Sequence, residues 1–107
     1  MELSKSDFKQ FIADHPAVIM YFTAKWCKPC NKIMTPVFDV KKEKYGNKVN
    51  FIKVDVDKSE ELCEYLKIRS MPTIIVFVDG KEADKSQSAD IDKFKGMYHK
   101  LLRTFQK

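Results

Sequence analysis

Ala17 to Lys32 read AVIMYFTAKWCKPCNK, an almost wholly apolar run of seven residues leading straight into two cysteines three positions apart. The run Ala17–Thr23 is too short for a typical helix and predicts a central strand buried on both faces. Trp26 stands before the first cysteine, and Lys28 and Pro29 separate Cys27 from Cys30. A pair so spaced could hold a metal, staple a loop or shuttle electrons, and the rest of the chain has to decide between these.

Working outward, SKSDFKQFIADH (residues 4–15) places Phe8, Phe11 and Ile12 at helical spacing behind Ser4 or Ser6 as N-cap, with Pro16 closing the segment. After the cysteines, NKIMTPVFDVKKEKYG (31–46) fits one helical face through Ile33, Met34, Val37, Phe38 and Val40, with a kink expected at Pro36. VNFIKVDVD (49–57) has strand character, and KSEELCEYLK (58–67) is helical, with Leu62, Cys63 and Leu66 on one face. PTIIVFV (72–78) predicts a second buried strand, and Asp79-Gly80 signals a hairpin into KEADKSQ (81–87). DIDKFKGMYHKLLRTF (90–105) reads as a closing amphipathic helix capped by Asp90.

This order of elements predicts an α/β fold: a right-handed βαβ unit extended by an antiparallel hairpin into a mixed sheet, with helices on both faces. No linker or repeat interrupts it, so residues 1–107 are expected to form one domain. At 107 residues the chain is long enough for a core without staples, and 44% hydrophobic residues argue against disorder. No apolar run reaches the ~20 residues of a membrane helix, and MELSKSDFKQ (1–10) lacks the apolar core of a secretory signal. A cytoplasmic location without membrane attachment is the corresponding expectation. The formal charge of +5 comes from lysines interspersed with acids, which predicts a solvated surface and not a nucleic-acid patch.

A helix starting beside Cys27 would aim its unpaired amides at that sulfur and favour thiolate over thiol. Lys28 adds positive charge nearby, and Pro29 suits a helix start. Cys30, one turn on, is close enough to close a small disulfide ring. The asymmetry assigns roles. Cys27, at the exposed tip, would attack a substrate disulfide, and Cys30, shielded in the first turn, would resolve the mixed disulfide. Zinc would need further ligands, but Cys63 lies on an apolar helix face and His15 and His99 have no ligand spacing. A structural staple closing so short a loop would constrain the unfolded chain very little.

WCKPC after a buried strand, followed in order by VDVD (54–57), IRSMPT (68–73) and FVDGKEAD (77–84), resembles the thioredoxin family over nearly the whole chain. The resemblance implies the thioredoxin fold and a protein thiol–disulfide oxidoreductase acting mainly as a reductant, with Cys27 as nucleophile and Cys30 as resolving thiol. It implies no bound cofactor, electrons coming ultimately from NADPH through a thioredoxin-reductase-like enzyme. The partners would be disulfide-containing proteins, met by a monomer. It further implies a cis bond before Pro72, freeing the Met71 backbone to pair with an extended substrate. Trp26, Lys28 and Pro29 would then complete the substrate-facing rim.

Four departures from the family pattern stand out. Lys28 replaces a glycine, and Ser88 replaces another in the loop after the edge strand. Pro36 comes one residue later than usual, which points to a local bulge in the helix. Tyr21 occupies the place of a buried aspartate credited with taking the resolving thiol's proton, a task a phenol of ordinary pKa ≈ 10 cannot perform near neutral pH. Lys53, aligned with the lysine that usually pairs with that aspartate, is left without it. These departures leave room for an alternative: a thioredoxin-like binding or redox-sensor subunit of a larger complex.

Overall fold

The computed structural model describes residues 4–105; residues 1–3 and 106–107, which belong to the domain limits expected from sequence, lie outside the described residues. Helix α1 (Lys5–Asp14) starts at Ser4, whose hydroxyl accepts the Asp7 amide at 3.1 Å. That bond settles the N-cap in favour of Ser4 over Ser6. Strand β1 is Ala17–Thr23, and a single π-helical turn over Cys30–Met34 runs into α2 (Thr35–Tyr45). Then come β2 (Asn50–Asp55), α3 (Glu60–Tyr65), β3 (Thr73–Val78), β4 (Lys81–Ser86) and α4 (Ile91–Phe105).

The four strands lie in the order β2-β1-β3-β4. β1 is parallel to β2 and antiparallel to β3, and β3 is antiparallel to β4. The sheet is therefore mixed, with the apolar runs at its centre and the polar KEADKS strand at one edge. Alternation along β1 divides the core. Ala17, Ile19 and Tyr21 pack with Phe38 of α2 and with Phe94 and Tyr98 of α4. Val18, Met20 and Phe22 pack on the other face with Phe8 of α1 and Leu62 of α3. This period of two is the physical reason one strand can anchor helices on both sides.

Several elements differ from their sequence limits. β2 starts at Asn50, not Val49, and ends at Asp55, where the carboxylate accepts the Asp57 amide at 2.9 Å and turns the chain. α3 is shorter than 58–67, and Lys67 leaves it with φ +58°. Pro36 sits at the start of α2, directly after the π-turn in one continuous helical run, so the wider turn ahead of it takes up a ring that a regular helix interior would not accommodate. The bulge expected from its displaced position is the π-turn ahead of it, where the Thr35 amide reaches back five residues to the Cys30 carbonyl. At the hairpin, Asp79 and Gly80 take φ of +51° and +81°, the paired left-handed conformation of a two-residue hairpin turn.

Candidate active site

The π-turn, the turn that precedes it and the loop before β3 bring the sequence-predicted residues together at one end of the sheet. Cys27 and Cys30 are joined in a disulfide with their Cα atoms 5.3 Å apart. The Cys27 sulfur accepts the Cys30 amide at 3.3 Å, so the helix start does direct a donor at it. Cys27 is less exposed than the helix-tip expectation held, at 5% against 0% for Cys30, and it lines a cleft together with residues of the loop before β3. Cys30 is the more deeply buried of the two. Lys28 and Pro29 are exposed at the helix start.

Trp26 is 65% exposed, and its indole N–H donates to the Asp57 carboxylate at 3.1 Å. The Met71–Pro72 peptide is cis. Met71 lies two residues before β3, outside the strand pairing, and faces the same cleft of about 560 Å³ as Cys27. Ser88 is exposed beyond the end of β4.

Tyr21 is wholly buried. Its hydroxyl donates to the Cys30 carbonyl at 3.1 Å and shares a hydrogen bond with the Thr35 hydroxyl at 2.9 Å. The phenol thus engages the backbone of the resolving cysteine and the end of the π-turn together. Burial pushes its pKa above the ordinary 10, against the opposing pull of Thr35 and Lys53, so it remains a neutral donor at physiological pH. Lys53 lies beside Tyr21 in the parallel register but is not left without a partner. Its ammonium pairs with Asp39 of α2 at 3.0 Å. That correction follows from helix placement, which brings a carboxylate from outside the sheet to the lysine.

Sequence reasoning passed over Asn31. Its side-chain amide donates to the carbonyls of Ala24, Lys25 and Cys27 at 3.3, 3.0 and 2.8 Å, and so holds the whole turn that carries Cys27. Its own amide adds a bond to the Cys27 carbonyl at 3.1 Å. The only prior signal was an amide side chain in the first turn of a helix, where it can bond back to nearby carbonyls. Cys63, expected as a buried thiol, is 9% exposed and also lines the cleft. Burial, with the charges of Asp55 and Asp57, pushes its pKa up to about 11. It is therefore a thiol and not a thiolate at neutral pH. Among the described residues no three His, Cys, Asp or Glu side chains gather into a metal-holding group, and no helix is long and apolar enough to cross a membrane.

Residues 1–100 match the thioredoxin family profile. An H-type thioredoxin of Chlamydomonas reinhardtii is 40% identical over 87 residues, covering 81% of this chain and 76% of that one. A thioredoxin of Mycoplasmoides gallisepticum is 42% identical over 83 residues, covering 77% and 80%. Among solved structures, Malassezia sympodialis thioredoxin superposes with a TM-score of 0.84 at 34% identity, covering 94% of this chain and 90% of the other. Plasmodium falciparum thioredoxin gives 0.82 at 35% identity, covering 92% and 96%.

Proposed function

The chain belongs to the thioredoxin family and is a protein thiol–disulfide oxidoreductase, and we propose that it works mainly as a reductant of protein disulfides. The observation that carries this reading is the pair itself: two cysteines with graded burial, the outer one facing a cleft beside Met71 and Pro72.

In the reduced protein the Cys27 thiolate attacks a substrate disulfide held along Met71. A bond forms between Cys27 and one substrate sulfur, and the other leaves as a thiolate. Cys30 then loses its proton and attacks the Cys27 sulfur. The ring closes, the second substrate thiolate departs, and the protein is left oxidised as in this structure. Two electrons have passed to the substrate. Trp26, Lys28 and Pro29 form the rim against which the substrate segment lies. Tyr21 and Lys53 act on the rate from beneath. The phenol holds the Cys30 carbonyl but carries no base, so the proton of Cys30 leaves more slowly and mixed disulfides persist longer. No resident cofactor takes part. A thioredoxin-reductase-like enzyme spending NADPH restores the dithiol, in the cytoplasm.

The test is NADPH oxidation through a thioredoxin reductase with insulin as the terminal acceptor. Wild type is expected to turn over, Cys27→Ser to be inactive, and Cys30→Ser to stall as a mixed disulfide on Cys27. A wild-type protein inert with both reductase and dithiothreitol would transfer the assignment to a binding subunit.

A further inference from the structure

The residues that line the cleft beside Cys27 carry charge of one sign. Among the described residues that line it, only Lys28 and Arg69 are charged, and both are exposed. They come from two different segments, Lys28 from the start of the redox helix and Arg69 from the loop ahead of β3. Lys25, two residues before Cys27, adds a further exposed cation to the turn. Two carboxylates lie behind this lining: Asp57 accepts the Trp26 indole N–H and keeps its negative charge, and Asp55 acts with it on Cys63. The wall of the cleft is apolar, supplied by Val56, Ile68 and Met71.

We infer that this cleft selects disulfide-bearing segments whose reacting cysteine is flanked by acidic side chains, with an aliphatic side chain seated on the Val56–Ile68–Met71 wall. The inference rests on the reading of the cleft as the substrate site and adds a substrate class to it. A carboxylate drawn in beside the sulfur meets two cations and no described anion of the lining. A lysine there meets repulsion from both. Rim charges of this kind act chiefly on encounter and on the choice between partners, and salt screens them. Lys28 is what makes the cationic rim two-sided: a side chain without charge at that position would leave Arg69 alone on the far wall.

The experiment uses three short peptides, identical except that the residues on both sides of their single cysteine are Glu, Gln or Lys. Each is presented as a mixed disulfide with β-mercaptoethanol, and kcat/KM is measured with dithiothreitol recycling the protein. The expected order is Glu over Gln over Lys, with a Glu-to-Lys ratio of about ten-fold at low ionic strength that shrinks towards about two-fold in high salt. Lys28→Glu and Arg69→Glu should each lower that ratio. The ratio is the readout because any change in Cys27 reactivity is common to the three peptides. Equal rates for the three peptides, or a preference for lysine, would overturn the inference while leaving the reductase reading intact. Failure to reduce any of them would overturn both.

Discussion

Tyr21 holds two neighbours with one oxygen, the Cys30 carbonyl and the Thr35 hydroxyl, and it does so as a neutral donor. A carboxylate at this position would reverse both properties, accepting instead of donating and ionising instead of staying neutral. Tyr21→Asp is therefore expected to accelerate release of substrate from the mixed disulfide, which stopped-flow single turnovers would record. The same substitution should lower stability by ~2 kcal/mol or more, because the carboxylate is buried and the packing of a large ring is lost. Unchanged release rates would reduce Tyr21 to a space-filling role. That a tyrosine filled this place was legible in the sequence. Its hydrogen bonds were not, because they depend on where the π-turn puts Cys30 and Thr35. The three carbonyls gathered by Asn31 were equally invisible, since backbone acceptors in an irregular turn leave no side-chain pattern to read.

Among the elements, β1 was readable as a strand buried on both faces because its apolar run is continuous and short, and the bulge ahead of α2 was readable from Pro36, which stands one residue later than the family spacing. The short helix α3 was only half readable. Its apolar face was evident, but nothing in its spacing signals that the same face borders the cleft, which is a matter of how α3 lies against β1 and the loop before β3. Cys63 shows the consequence. Its pKa in the fold is about 11 against an ordinary 9.0, so between these values the unfolded chain gives up the proton while the native chain keeps it. The unfolded state then binds fewer protons, and stability falls as pH rises. The contribution is whole below about pH 9 and lost above about pH 11, with a magnitude up to ~2 kcal/mol. Urea unfolding of wild type and Cys63→Ala across this range is expected to show the wild type losing more stability than the variant. Parallel pH curves for the two proteins would mean that the cysteine ionises alike in both states.

At the scale of the whole molecule, one ring ties the redox end to the rest of the core. Phe38 of α2 is fully buried, with ring centroids 5.1 Å from Tyr21, 5.6 Å from Phe51 and 6.0 Å from Phe94. It thereby joins α2 to β1, β2 and α4 in one contact cluster, and it lies four residues after Met34, the end of the π-turn. Truncating such a ring typically costs ~3–5 kcal/mol, a large part of the ~5–15 kcal/mol that holds a domain of this size together. Phe38→Ala is expected to shift the urea midpoint strongly downward with little change in slope, whereas Phe38→Leu, which keeps most of the volume, should cost about half as much or less. The redox pair supplies a second readout, since Tyr21 rests on this ring and holds the Cys30 carbonyl. Loss of the ring should loosen the support beneath Cys30 before the fold is lost, so Phe38→Ala should change the reduction potential of the Cys27–Cys30 pair under conditions where it is still folded. A variant that lost stability yet kept the wild-type potential would show that the pair is positioned by its own turn and by Asn31, independently of the core below.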